Sequence, residues 1–314
     1  MTIDASKLDQ AARAAWLSWV GGLTQDEIAR EMGVSRQTAQ RLTSQAMAAG
    51  IVKVRIDHPL AECLELSRRL KEKFSLRRVD IAPAQTGAAG MSNLIAELIE
   101  SLLSRTEPLV LAIGNGRTLR GGVLQMSHLD CPQHSIVSLT GNIAPDGSAA
   151  YYNVLFSLSE IVTASSYPLM VPVIAASSEE RSALHRQPGN ARVMELTARA
   201  EAAIVGIGDL GPQAPLMVDG FLTQEEVEAL SRAGGVGEML GHAFDAAGTL
   251  LPRDTRVASA QLPDPSQGLF VAAAYGPTKR NAILGALRGG LVNGLITDEE
   301  TARWLLDQPD RVSA

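Results

Sequence analysis

The chain is short of cysteine, of long apolar runs and of basic charge, and each shortage closes off a class of protein. Only Cys63 and Cys131 occur in 314 residues. They stand far apart with no cysteine or histidine at metal-ligand spacing beside them, which argues against a metal centre and for two small buried hydrophobes. None of His58, His128, His134, His185 or His242 falls in a catalytic or metal-binding pattern, so neither a metal nor a cofactor is expected. The longest apolar runs, Leu169 to Ala176 and Ala202 to Ile207, are too short to cross a bilayer. The start, MTIDASKLDQ, has no apolar core behind a basic segment, so no secretory signal is read and a cytoplasmic location is expected. Lys and Arg number 28 against 34 Asp and Glu, for a net charge of −6.

What is present is ordinary globular composition, 46% apolar and 20% charged, at a length that predicts two domains. Residues 23–49, LTQDEIAREMGVSRQTAQRLTSQAMAA, have the pattern of two short helices joined by a tight turn. Thr24, with Glu27 three residues on, forms a capping box. Ile28, Ala29 and Met32 line one face, Gly33 supplies the left-handed backbone of the turn, and Ser35 opens the second helix. Ala39, Leu42 and Ala46 make its inner face, leaving Arg36, Gln37, Thr38, Gln40, Arg41 and Ser44 outward.

Such a pair could be a helical hairpin inside a core. Charge decides otherwise: no acidic residue lies between Gly33 and Arg55, while Arg36, Arg41, Lys53 and Arg55 are basic. A basic stripe on an acidic chain is the footprint of contact with phosphate backbone, so a helix-turn-helix for duplex DNA is expected over residues 1–57. Arg36 with Gln37 or Gln40 are the candidates for base edges, because guanidinium and amide groups pair bidentately with guanine and adenine. Thr38, Arg41 and Lys53 are the candidates for phosphates, with Ser35 completing the DNA-facing set. A preceding helix, with Leu8, Ala11, Ala12, Ala15, Trp16, Trp19 and Val20 at helical spacing, supports the pair, and its aromatic stripe is expected in the core. Alternation at Val52, Val54 and Ile56 predicts a short strand.

A connector helix is expected within 58–75, with Leu60, Leu64, Leu66, Leu70 and Phe74 near one side, suited equally to a dimer contact or to the next domain. From 76 to 314, short apolar runs alternate with helical stretches. Strands are predicted at 79–82, 109–113, 135–139, 169–174, 202–207 and 269–274. Helices are predicted near 90–104, 149–163, 191–200, 224–232 and 278–291. This pattern predicts an α/β fold, a mostly parallel doubly wound sheet whose ligands sit beyond the carboxyl ends of the strands. The run 109–113 leads into Gly114-Asn115-Gly116-Arg117-Thr118 before a helical stretch, an order that suits an anion. Glycine is also common in any strand-to-helix turn. Thr140-Gly141-Asn142 and Gly206-Ile207-Gly208-Asp209 follow other strands, and Glu238 and Lys279 offer a carboxylate and a cation, for which, taken alone, surface salt bridging is the more common fate.

Taken together these residues resemble the SorC family of sugar-responsive bacterial transcriptional regulators, a group also described with DeoR-type regulators. The likeness covers nearly the whole chain and rests on LTQDEIAREMGVSRQTAQRLTSQAMAAGIVKVRI, IGNGRTLRGG, VGIGDLG, GGVGEMLGHAFDAAG and YGPTKRNAILGALRGGLVNGLITDEETARWLL. The resemblance implies an effector and oligomerisation domain similar to phosphosugar isomerases and deaminases, sensing a sugar, a phosphosugar or a polyol. It implies that Gly114, Asn115, Gly116, Arg117, Thr118 and Lys279 hold an effector phosphate, that Glu238 contacts sugar hydroxyls, and that Asn142 and Asp209 assist. It also implies a dimer or tetramer acting on an operator; a repressor is expected, without a membrane partner. The alternative is a phosphosugar isomerase or deaminase with an accessory DNA-binding module, for which Glu238, Asp209 and Asp245 would be candidate acids and bases. The related deaminases continue their GIG loop with Asp-Gly-His. This chain has Asp209-Leu210-Gly211 after Gly208, so no enzymatic activity is expected. A kinase-like nucleotide site is excluded, since the glycine spacing before Lys279 is absent.

Overall fold

Thr24 and Ser35 begin their helices as their side chains dictate. In the computed structural model, which describes residues 5–52, 59–143, 153–252 and 256–309, the chain divides into two compact units, Met1–His58 and Pro59–Ala314.

The first unit holds α1 (Ala5–Trp19), α2 (Gln25–Met32) and α3 (Arg36–Ala48). The Thr24 hydroxyl accepts from the Glu27 amide, and the Glu27 carboxylate accepts from the Thr24 amide at 2.8 Å. Gly33 follows α2 at φ 65°, in the left-handed region, and turns the chain into α3. Ile28, Ala39, Leu42 and Ala46 are buried together with Ala11, Ala14, Ala15 and Leu17 of α1. The expected aromatic core is overturned: Trp16 is 59% exposed, Trp19 46% and Val20 69%. Small alanines form the side of α1 that packs on α3, and their close approach leaves the bulky residues on the opposite side. The predicted strand at 52–56 falls largely outside the described residues.

The second unit begins with α4 (Pro59–Phe74), followed by β1 (Arg78–Ala82), α5 (Gly87–Leu103), β2 (Val110–Ile113), α6 (Arg117–Val123), β3 (Ser135–Ser138), α7 (Val154–Ser159) and β4 (Ser165–Tyr167). Next come α8 (Ser178–Arg186), α9 (Pro188–Thr197), β5 (Ala202–Val205), β6 (Gly208–Asp209), α10 (Pro215–Val218), α11 (Gln224–Arg232), β7 (Gly235–Met239) and β8 (His242–Asp245). The unit closes with β9 (Leu269–Ala273), α12 (Arg280–Arg288), β10 (Gly294–Asp298) and α13 (Glu299–Asp307). Seven strands form one parallel sheet in the order β1-β10-β9-β5-β2-β3-β4. Successive residues of each strand feed opposite faces. Ala112, Val137, Ala203 and Ala272 join one core, while Leu111, Ile113, Ile136, Ile204 and Val271 join the other. Apolar side chains on both faces explain why these strands read as unbroken apolar runs.

The chain leaves β2 toward β3 on one side and returns to β5 on the other, so the topological switch point lies between the carboxyl ends of β2 and β5. A second, antiparallel sheet, β6-β7-β8, stands beyond that edge and was not expected. Neither was β10. The predicted strand at 169–174 is absent. Leu169, Val171, Val173 and Ile174 are buried but irregular, with single bridges Ile143–Pro172 and Ile174–Val257, because Pro168 and Pro172 have no amide to donate to a ladder. The predicted helix at 149–163 is confined to α7 within the described residues.

The connector helix α4 packs on β1 and α13 of its own unit through buried Cys63, Leu66 and Leu70. Leu64, expected on that face, is 66% exposed. Lys73 donates to the carbonyl of Leu306 at 2.8 Å, a cation at the carboxyl end of α13. Glu299 ties the same corner. It accepts from the Ala84 amide at 2.9 Å and from Arg303 at 2.6 Å, and Arg303 also pairs with Glu62 of α4. The Ala84 amide, then Arg303, hold the Glu299 carboxyl below its ordinary 4.5. Its folded pKa is depressed, so its contribution exists above that ordinary range and is lost as pH falls through it. Glu299→Ala is expected to cost about 1 kcal/mol at neutral pH, with the difference from wild type vanishing in acid. Thermal melts across that range check both statements.

Candidate functional site

In the first unit α3 presents one polar face. Arg36, Gln37, Gln40, Arg41 and Ser44 are exposed, opposite the buried Ala39, Leu42 and Ala46. Arg36 lies 3.6 Å from Asp26 in a fully surface pair, which contributes little and holds the guanidinium loosely. Ser35 and Thr38 are engaged at the helix start. The Ser35 hydroxyl accepts from the Thr38 amide at 3.2 Å, and the two hydroxyls meet at 2.9 Å. Lys53 lies outside the described residues.

In the second unit the loops at the switch point are knitted together. The Gly114 amide donates to Ile204 of β5, and the Asn115 amide donates to the Thr140 hydroxyl at 3.2 Å. The Asn115 side chain donates to the Gly141 carbonyl at 3.3 Å and accepts from the Val154 amide at 3.3 Å. Asn142 is buried and donates to the Leu169 carbonyl. These two amides therefore hold the loops in place. Arg117 and Arg120 are exposed, and Thr118 is half-buried.

The small antiparallel sheet brings a carboxylate to this edge. Glu238 on β7 pairs with Gly208 on β6, and a Cβ on Gly208 would stand 2.2 Å from Glu238 Oε1, so only glycine allows the carboxylate to lie there. Glu238 is 8% exposed, and its Oε2 accepts from the Gly241 amide at 2.9 Å. Burial pushes its carboxyl above the usual range, against the opposing pull of the Gly241 amide and Lys279. Lys279 ends the turn Pro277–Lys279 that follows β9, and burial lowers its ammonium below the usual lysine range. Asp209, half-buried, caps its own loop by accepting from the Gly211 amide at 3.2 Å. Arg117, Asp209, Glu238 and Lys279 thus share one electrostatic cup.

Asp219, just after α10, joins them. It lies within electrostatic range of both Glu238 and Arg117, and burial raises its carboxyl. Nothing in the local pattern around Asp219 marks it, since only the fold brings it to the cup. Asp245 does not join: its Oδ1 accepts from the Ala247 and Thr249 amides in the turn after β8. Three of the histidines also have other work, and His58 lies outside the described residues. His134 is buried, accepting from the Leu109 amide through Nδ1 and bonding the Leu103 carbonyl through Nε2, while His185 and His242 bond the carbonyls of Ala258 and Ala260.

Residues 58–307 match the family described as "Putative sugar-binding domain". The chain is 37% identical over 309 residues, 96% of its length and 97% of the relative's, to the erythritol catabolism regulatory protein EryD of Brucella abortus (strain 2308). It is 31% identical over 308 residues to the transcriptional regulator LsrR of Enterobacter sp. (strain 638), covering 94% of this chain and 92% of that one. Among solved structures, the full-length sorbitol operon regulator SorC from Klebsiella pneumoniae superposes with a TM-score of 0.71 at 25% identity, over 98% of this chain and 100% of that one. An N-terminal helix-turn-helix, a parallel α/β unit and likeness over nearly the full length of these regulators lead to one assignment: the protein belongs to the SorC family of sugar-binding transcriptional regulators.

Proposed function

We propose that this protein represses a carbohydrate or polyol catabolic operon, and that a small sugar, phosphosugar or sugar alcohol in the cup of the second unit sets its grip on the operator. The observation that carries the reading is the outward face of α3, where Arg36, Gln37, Gln40 and Arg41 stand exposed in a stretch without one acidic residue from Gly33 to Arg55. In this reading Arg36 with Gln37 or Gln40 meets base edges, while Arg41 meets phosphate and Ser35 and Thr38 orient the helix start. Two copies read successive major grooves of a near-palindromic site, as a dimer or tetramer in the cytoplasm. Among the described residues no helix is long and apolar enough to cross a membrane. The relatives named for erythritol catabolism and the sorbitol operon support a polyol or sugar as the signal. The carboxylates of the cup are read as acceptors of ligand hydroxyls, and no catalytic role is assigned to them.

The effector would act by favouring one of two assemblies that differ in operator affinity. Fluorescence anisotropy with the protein's own promoter and a random duplex, each with and without ligand, tests the proposal. Equal affinity for both duplexes under every ligand condition would remove it. Arg41→Ala is expected to weaken binding to both duplexes alike and to reduce the slope of log K against log salt by about one. An unchanged slope would take Arg41 off the backbone.

A further inference from the structure

Among the described residues the cup contains more acidic than basic side chains. Arg117 and Lys279 face Asp209, Asp219 and Glu238. The hydrogen-bonding atoms at its floor are also incompletely used. Glu238 is more than nine-tenths buried, yet its only hydrogen bond among the described residues is from the Gly241 amide to Oε2, which leaves Oε1 over Gly208 without a donor. Lys279 is half-buried, and among the described residues its ammonium makes no hydrogen bond and no direct ion pair. A cation and an anion, each with its terminal group still open to the cup, therefore face each other within electrostatic range without touching. Charges held that way are costly unless something completes them.

A hydroxyl group completes both at once, giving its proton to the carboxylate and its lone pair to the ammonium. A phosphate ester brings only acceptors and about two negative charges at neutral pH. Lys279 and Arg117 would welcome it, but the buried Glu238, the half-buried Asp209 and the exposed Asp219 all oppose it, most strongly where water is least able to screen them. We propose that the ligand of this cup is an uncharged, unphosphorylated polyhydroxylated compound, a sugar alcohol first of all, held between Glu238 and Lys279, with Asp219 turning phosphate esters away. The inference rests on the reading of this cup as the effector site.

The test uses the full-length protein with erythritol, xylitol and D-glucitol, the matched monophosphates and inorganic phosphate as probes. Affinity is measured by calorimetry at low and high salt, alongside thermal shift. At least one neutral polyol is expected to bind at least about tenfold more tightly than its monophosphate, with an affinity indifferent to salt. Glu238→Gln keeps the side-chain volume and is expected to weaken that polyol by about tenfold or more. Asp219→Asn, at an exposed position, is expected to narrow the gap between ester and alcohol several-fold. A monophosphate or inorganic phosphate that outbinds every neutral polyol, and loses affinity in Lys279→Met, would overturn the inference while keeping the cup as effector site. Polyol binding undiminished in both Glu238→Gln and Lys279→Met would instead overturn the effector-site reading, and so would an absence of binding by every probe to a cooperatively melting wild type.

Discussion

Lys279→Met is expected to abolish the effect of any effector on operator binding, with the operator still bound. Among the described residues Lys279 carries the only ammonium of the cup, facing Glu238 and Asp209, and methionine keeps the stem while removing the charge and all three donors. The same change is expected to leave the melting temperature equal or higher. Burial lowers the pKa of Lys279 in the folded chain, so the stability it allows is greatest above the ordinary lysine range and falls as pH drops through that range. At neutral pH the charged ammonium is therefore a burden on the fold. Glu238 is raised by burial, and its stability is greatest below the ordinary carboxylate range and falls as pH climbs. Loss of Lys279 removes a cation that opposes this rise, so the Glu238 proton should be retained to higher pH. Promoter binding with and without effector, read beside a thermal melt, separates the outcomes. A lowered melting temperature with response and operator binding lost together would make Lys279 a structural residue.

Phe244→Ala carries the largest expected cost in stability, about 3–5 kcal/mol, or on the order of 10 °C in melting temperature. Phe244 is fully buried on β8, beneath the hairpin that holds Glu238. Two glycines make room for its ring. A Cβ on Gly237 would lie 2.8 Å from Phe244 Cζ, and one on Gly285 of α12 would lie 3.4 Å from Cε2. With no side chains on either wall, the cavity left by alanine has little to collapse into it. Because β7 rests on this ring, effector affinity should fall along with stability. Circular dichroism melts check the first claim, and a shift equivalent to under about 1 kcal/mol would show that the hairpin stands without its aromatic support.

The elements that were legible from sequence are those whose local chemistry and tertiary role agree. Thr24 with Glu27, Gly33 and Ser35 fix the ends of α2 and α3 by hydrogen bonds within four residues, and the strands buried on both faces announce themselves as apolar runs. Legibility failed where that agreement is absent. Gly235 and Gly237 erase the alternation that would mark β7, since the first leaves room for Leu210 and the Leu230 carbonyl of α11 and the second for Phe244 and Ala282 of α12. Prolines at 168 and 172 leave an apolar stretch buried without a ladder. In the cup, Glu238 and Lys279 could be named from sequence, but their withdrawal from water depends on a strand pairing and a crossover far apart in the chain. Asp219 is placed there by tertiary structure alone.

The outward tryptophans of α1 have a spectroscopic consequence. Trp16 and Trp19 stand in water on the first unit, and the third tryptophan, Trp304, sits half-buried on α13 against the sheet. Each unit thus carries its own intrinsic fluorophore, in different surroundings. With excitation selective for tryptophan, a Trp304→Phe chain glows only from its first unit and a Trp16→Phe, Trp19→Phe chain only from its second, so the melting of either unit can be followed by light alone.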